Sequence, residues 1–503
     1  MGPSEPRPRP PAIAGVPLQP AAPTPAAPAT TGIELPAQPS LWRHPEFLKL
    51  WTGRTVSGFG SQVSRLAIPL TAVEVLDATP AQMGLLQAAG TAPALVLGLM
   101  AGVWVDRYRR RPLLVATDLG RALLLGAIPL LSLMGLLRIE ALIAVALLTG
   151  ILTLFFDVAS TSFVPSFLSR TQLVDGNSKL TASTSVAAVA GPSLGGTLVQ
   201  LLSAPIAVAA DAFSFLVSAV CHALLRVDEP APRPQGAAAT SAARRGGLGA
   251  SPPKRRVSSL PISERDTETG RGSSAARGAA RGGVWHELWA ELLEGLRVVG
   301  ANGYLRACAG TAGVFNFFAG IFFTVYVLYA TRELGVSAAA LGLLYAGGGV
   351  GSVLGAVVAA PLAQRAGFGV ATVGAACLVG VGWVPAALVA PGAPLILPIL
   401  AGAHFVRGLS QTVYGINSVS LRQAAVPDQL QGRVAGTLRV IFLGTVPLGS
   451  LAGGLLGERL GLWPTLALGA GGALLGALWM LLSPVRALRA LPTAEDEHLL
   501  ADV

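Results

Sequence analysis

Long apolar runs alternate with short polar breaks along most of this chain. Runs long enough to cross a bilayer, about 20 residues each, fall near 48–76, 81–105, 113–135, 141–162, 178–202 and 205–225. After a gap they resume near 303–330, 338–361, 369–390, 394–419, 434–457 and 463–483. The pattern predicts an all-α membrane protein with twelve transmembrane helices, six in each of two bundles, 41–225 and 301–484. The gap at 226–284 includes PAPRPQGAAATSAARRGGLGASPPKRRVSS, a composition that buries too little apolar surface to fold, so it reads as a disordered basic linker. In WHELWAELLEGLRVVG, Trp285, Leu288, Trp289, Leu292, Leu296 and Val299 recur at helical spacing. That spacing predicts an amphipathic helix over 285–300, lying on the membrane surface. Residues 1–40, rich in proline and alanine without a hydrophobic run, and residues 485–503 read as cytoplasmic tails.

Composition agrees with the pattern. Of 503 residues, 52% are hydrophobic and 12% charged, and mean hydropathy is +0.61. A net charge of +10 would suggest nucleic acid in a soluble protein, but here its placement decides otherwise. With the N-terminus inside, the outer loops hold only Arg138, Arg332 and Arg459. The inner ones hold the burst DRYRRR at 106–111, the linker, Arg170, Arg365, Arg422 and Arg433. The positive-inside rule therefore predicts cytoplasmic termini and no nucleic-acid partner. Cys221, Cys308 and Cys377 lie far apart in apolar runs, without the spacing of a disulfide or metal framework. The sequence also lacks a phosphate loop and a His–Glu or Cys cluster, so neither an enzyme, a cofactor nor a metal is expected.

The two halves repeat each other. HPEFLKLWTG, starting at His44, aligns with ANGYLRACAG, starting at Ala301, an offset of 301 − 44 = 257. GLLQAAG at Gly84 meets GLLYAGG at Gly342, an offset of 342 − 84 = 258. RTQLVDG at Arg170 meets PDQLQGR at Pro427, and PSLGG at Pro192 meets GSLAG at Gly449. A register held through five helices implies parallel repeats related by an axis along the membrane normal.

GVWVDRYRRRPLL, between the second and third runs, places Gly102, Asp106, Arg107, Arg110 and Arg111 in a loop pattern of the form G-x-L-a-D-R-x-G-R-R/K. With two six-helix halves and a cytoplasmic linker, the chain resembles the major facilitator superfamily. It departs from that loop pattern at Trp104, where the family prefers Leu, and at Arg109, where it prefers Gly. The resemblance implies a conformational latch in which Asp106 caps the inner end of helix 11 near Gly432 and Arg433. Such a contact can be broken and remade; otherwise the arginines serve topology alone. Gly191-Pro192-Ser193-Leu194-Gly195-Gly196 fits the G-P-x-x-G-G stretch associated in that superfamily with proton-driven exporters. Pro192 bends its helix, and Gly191, Gly195 and Gly196 permit close helix approach. FFDVASTSFVPSFLSRTQLVDGNSKL and DAFSFLVSA resemble the enterobactin-exporter and macrolide-efflux branch over about residues 42–225.

Ionisable groups inside membrane spans are functional candidates, because lipid is a poor solvent for them. Arg65 and Asp211 are expected near the outer third, and Arg54, Asp118, Arg121 and Asp157 nearer the inner face. Complementary charge at matched depth predicts ion pairs, Asp157 and Asp118 with Arg54 or Arg121, and Asp211 with Arg65. A group broken out of such a pair in one conformation can load and release a proton, and Asp157 is the favoured carrier. The alternative is fixed ion pairing between helices. His404 is expected to be a hydrogen-bonded core histidine. The family resemblance further implies that helices 1, 4, 7 and 10 line a cavity, so that Gln62, Asn316, Tyr326, Arg407 and Gln411 face substrate, with Phe317, Phe322 and Phe323 as apolar wall.

These readings converge on a monomeric, proton-coupled exporter in a bacterial inner membrane. Its partners would be protons, the bilayer and a small organic molecule such as an antibiotic, siderophore or secondary metabolite. An importer of the same fold, or a scaffold acting through the basic linker, are the alternatives.

Overall fold

Proline or a short polar side chain begins many of the helices, and glycine or another positive-φ residue marks several of the turns between them. The computed structural model describes residues 41–105, 107–227 and 293–491. Within them all regular structure is helical. In the first half, α1 spans Pro45–Leu70, and α2 spans Pro80–Val96, breaks at Leu97 and resumes as Gly98–Val105. Then come α3 (Arg110–Leu133), α4 (Ile139–Phe163), α5 (Arg170–Leu202) and α6 (Ala204–Ala223). The second half holds α7 (Gly303–Leu328), α8 (Ala338–Ala366) and α9 (Phe368–Val381, resuming as Val384–Leu388). It closes with α10 (Ile396–Ala425), α11 (Asp428–Leu460) and α12 (Leu462–Leu481).

Nine of these segments are long and apolar enough to cross a membrane by length and composition alone. The other three are α1, which carries Arg54 and Arg65, α10, which carries Arg407 and Arg422, and the interrupted α2. Pro93, whose carbonyl accepts from Leu97 N–H, sits just before the α2 break. The helices α5 and α11 begin earlier than the apolar runs predict, because their first turns are polar and leave the apolar stretch behind.

The repeat is written in the backbone as well as in the sequence. His44 caps α1 and Asn302 caps α7, 302 − 44 = 258 positions on; Thr79 caps α2 and Ser337 caps α8 at the same spacing. Wide π-helical turns follow α1 at Thr71–Val75 and α7 at Tyr329–Glu333. The turns use positive φ at matched places: Asp77 and Gly335, Gly135 and Gly392, Ser203 and Gly461. Packing repeats too, with α1 lying on α5 and α6 as α7 lies on α11 and α12, and α3 on α4 and α6 as α9 lies on α10 and α12.

The halves meet through α2 against α11 and α5 against α8, which are symmetry mates. At both contacts glycine meets glycine. A Cβ added to Gly84 would stand 2.8 Å from the Gly454 Cα, and one added to Gly196 would stand 3.0 Å from the Gly342 Cα. Any larger side chain would force the halves apart there. This end carries the α1–α2 and α7–α8 loops, where Arg332 bonds Asp77 at 2.5 Å and Glu458 accepts from Ala81 N–H at 3.3 Å.

The expected surface helix is described only from residue 293, and residues 293–301 are helical. They dock on α11 instead of lying free: Glu294 pairs with Arg433 at 2.5 Å, and Val299 is buried beside Leu305, Val434 and Leu438. The expected tail after 484 begins with a packed turn, Pro484–Ala487, and Leu488 O and Arg489 O accept from Gly369 N–H and Phe368 N–H. The tail 1–40, most of the linker 226–284, Trp285, Leu288, Trp289 and Leu292, and residues 492–503 lie outside the described residues.

Candidate functional site

Five arginines and three aspartates sit in the described spans away from the helix ends: Arg54, Arg65, Arg121, Arg407 and Arg439 against Asp118, Asp157 and Asp211. Their surroundings sort them into three groups.

The first is a closed network. Asp118 on α3 is fully buried and takes three partners: Arg121 Nη2 donates to Oδ1 at 2.5 Å, and Ser218 Oγ and His222 Nδ1 of α6 reach Oδ2 at 2.8 Å. The Arg121 guanidinium lies between Phe156 of α4 and Phe215 of α6, 4.2 and 4.1 Å from their ring centroids. A charge with so complete a set of partners is stable in a dry interior. Asp118 and Arg121 are therefore paired along one helix, three residues apart, not across helices.

The second is a cavity of 530 Å³ walled by both halves, with residues from α1, α2, α3, α4, α6 and α11. Arg65, Asp157 and Arg439 open onto it, and Arg121 and Asp211 contribute to its wall. The charges of Arg121, Arg54 and Arg439 all act on Asp157. Asp211 is 1% exposed and accepts a hydrogen bond from Ser214 Oγ at 3.1 Å. The expected Asp211–Arg65 pair is not formed: no ion pair within 4 Å joins them among the described residues. Matched depth placed them together, but depth does not fix the direction in which each side chain leaves its helix.

The third is an aromatic cluster in the second half. Tyr326, 0% exposed, stacks on Phe322 at 5.2 Å and meets His404 at 5.5 Å, while Phe322 meets Trp383 at 4.5 Å. His404 Nδ1 bonds Leu400 O at 2.9 Å, a core role. Arg407 lies over Phe323 and Trp383.

The five expected substrate contacts fall elsewhere than this cavity. Gln62 packs under Gly191 of α5, Asn316 Nδ2 donates to Phe442 O at 3.0 Å, Tyr326 and Arg407 belong to the aromatic cluster, and Gln411 is exposed. Helices α1 and α4 line the cavity as expected, α2, α3, α6 and α11 join them, and α7 and α10 do not contribute to its wall. Arg439 and His222 escape the sequence-based set although both lie inside apolar runs, so a count of ionisable side chains over 434–457 and 205–225 finds them.

The α5 glycines divide their work between two neighbours. Gly191 and Gly195 lie against Gln62 and Val63 of α1, whereas Gly196 and the Pro192 carbonyl meet Ala338 and Gly342 of α8. In the loop motif, Gly102 is helical and opens onto free space, and Arg107 is exposed. Arg110 opens α3, and Arg111 donates to His222 O at 3.4 Å and to Ala223 O, closing the last turn of α6. Asp106 lies outside the described residues.

A family model described as Major Facilitator Superfamily matches residues 50–442. The chain belongs to that superfamily. Two six-helix halves with matched caps, turns and packing are what membership requires, and this is a multi-pass membrane protein of a transporter family. Multidrug efflux pump Tap of Mycolicibacterium fortuitum is 27% identical over 463 residues, 89% of this chain and 97% of the relative. An uncharacterized MFS-type transporter of Bacillus subtilis, YfiS, is 27% identical over 34% of this chain and 40% of its own. Among solved structures, a bacterial homologue of the iron transporter ferroportin in an inward-facing state superposes with a TM-score of 0.62 at 15% identity, covering 88% of this chain and 99% of that one. A bacterial homologue of the human lysosomal transporter Spinster gives 0.61 at 13% identity, covering 88% and 97%. At those identities the structures share the fold.

Proposed function

We propose that this superfamily member is a proton-coupled exporter of small organic molecules, working by alternating access as a monomer in a bacterial inner membrane with its termini in the cytoplasm. The observation that carries the reading is the cavity at the boundary of the halves, where Asp157 stands open among Arg54, Arg121 and Arg439. A carboxylate so placed exchanges arginine neighbours when the halves move, and with them its hold on a proton. The glycine pairs that join α2 to α11 and α5 to α8 supply the gate at the outer end, and G-P-x-x-G-G forms half of it. A relative that is a multidrug efflux pump supports the outward direction. In the same reading Asp106 is the latch at the inner end; Arg111 secures the last turn of α6.

The test is a compound screen for substrate-dependent proton release in inverted vesicles, with drug sensitivity of a deletion strain beside it. Export predicts proton flux that Asp157→Asn abolishes and a strain more sensitive to the substrate. Uptake of the substrate by intact cells would show the reverse direction. Proton flux undiminished in Asp157→Asn, Asp118→Asn and Asp211→Asn would place coupling outside these acids.

A further inference from the structure

The charge inside the bundle does not balance, and the surplus faces the cavity. Asp118 is fully occupied by Arg121, Ser218 and His222. Asp211 is buried against Ser214. That leaves Asp157 as the open acid, against two open arginines. Arg65 comes from α1 of the first half and Arg439 from α11 of the second; both line the cavity, and neither makes an ion pair or hydrogen bond among the described residues. A guanidinium at such depth calls for an anionic partner, and its planar fork matches a carboxylate or a phosphate better than any other small group. The rest of the wall mixes hydrogen-bonding side chains, Gln87, Thr91 and Thr149, with the apolar surfaces of Phe215 and Leu443. The volume, 530 Å³, suits a drug-sized molecule.

Resting on the transporter reading above, we infer that the cavity is built for an amphipathic small molecule bearing an anionic group, a carboxylate or phosphate held between Arg65 and Arg439. Because the two arginines ride on different halves, the anion ties them together. Binding therefore favours the conformers in which the halves close over the cavity, the differential affinity that alternating access needs. A purely cationic or neutral compound leaves both guanidinium groups without a partner and is disfavoured.

A matched pair of dyes tests this: a rhodamine with a free carboxylate and its methyl ester, which share one fluorescent core. Affinities are measured by fluorescence polarisation on the full chain in nanodiscs of phosphatidylcholine, so that no anionic lipid competes. The acid should bind about tenfold more tightly than the ester, the scale of one charge-assisted contact. Arg65→Gln and Arg439→Gln should each remove that preference, and Arg439→Lys should restore part of it. Equal affinities, a preference that survives both glutamine variants, or binding of neither dye would overturn the proposal. Displacement of the acid by phosphatidylglycerol added to the disc would also overturn it, assigning the arginines to a lipid headgroup. Vesicle flux of the acid keeps the two readings apart: inward movement with the preference intact would defeat export and leave the anion clamp standing.

Discussion

Gly53 of α1 and Gly310 of α7 lie within one residue of equivalent places in the repeat, whose helix caps set an offset of 258, and each lies where a neighbouring helix crosses closely. Gly53 faces Cys221 and Ser218 of α6; Gly310 faces Trp479 of α12. At the offset of 258 Trp479 stands where the first half has Cys221, and Ala376, fully buried, stands at the position of Asp118. Phe323 takes the place of Arg65. The backbone repeat has thus been filled in two ways, with a hydrogen-bonded ionic network in the first half and stacked aromatic rings in the second. The difference has a physical consequence. Packing of aromatic rings depends little on charge, whereas an ionic interior changes its preferred arrangement when a charge is added or removed. On the proposed reading the coupling acid sits in the first half, and the aromatic core of the second half is the firmer wall it faces.

The largest effect expected from that contrast is on stability. Asp118→Ala leaves Arg121, 4% exposed between two phenylalanine rings, without its counter-charge, at a cost of about 3–5 kcal/mol. The matched change in the aromatic half, Trp383→Phe, keeps an apolar ring in place and removes an indole N–H that has no partner, so it should cost less than about 1.5 kcal/mol. Thermal unfolding in detergent measures both. Equal losses would mean that the two interiors are held by the same kind of packing.

Next in size is the proposed glycine gate. Gly196→Leu should cut transport about a hundredfold while the protein still inserts, since overpacking against the α8 backbone costs up to about 3 kcal/mol. Gly84→Leu, its counterpart against α11, should do the same if the gate is as symmetric as its geometry. Loss in only one of them, with both proteins equally abundant, would show that one side of the gate carries the cycle.

How far the sequence could lead is clear from these residues. The spans, the repeat and the α5 glycines were legible because hydropathy and spacing survive projection onto one dimension. The Asp118–Arg121 pair was legible only as one of several pairings by depth, although it lies at three residues' separation on one helix. Helix rotation was not. Gln62 and Tyr326 have the polarity of cavity residues, yet Gln62 turns into the α5 contact and Tyr326 into an aromatic stack. Only the packing of whole helices decides which face a polar side chain shows. For the same reason Arg65 and Asp211, though both contribute to the cavity wall, do not pair with each other.

A smaller effect tests the repeat itself. Ser203 opens the α6 turn at φ +102°, where its mate Gly461 has φ +90°. A side chain there is strained by about 1–3 kcal/mol, part of which glycine returns as unfolded-state entropy. Ser203→Gly should therefore stabilise the protein by about 1 kcal/mol, read as a raised unfolding temperature. A loss instead would mean that the serine is held by contacts the repeat does not share.

The smallest change is expected at the rim of the gate. Arg332 of the α7–α8 turn bonds Asp77 Oδ1 at 2.5 Å and Ala78 O at 3.1 Å, joining the halves a few residues from the Gly84–Gly454 contact. Position alone would make it look as decisive as the glycines. Its surroundings argue otherwise, because the Asp77 side chain is 94% exposed and a pair so open to solvent gains little over hydration. Arg332→Ala should shift stability by less than about 1 kcal/mol and transport by less than about fivefold, and that shift should shrink further in high salt. Transport rates of Arg332→Ala and Gly196→Leu measured side by side then separate the two ways the halves are joined. If the arginine variant were the slower one, the gate would be held by its charged rim, and close backbone packing would be incidental to it.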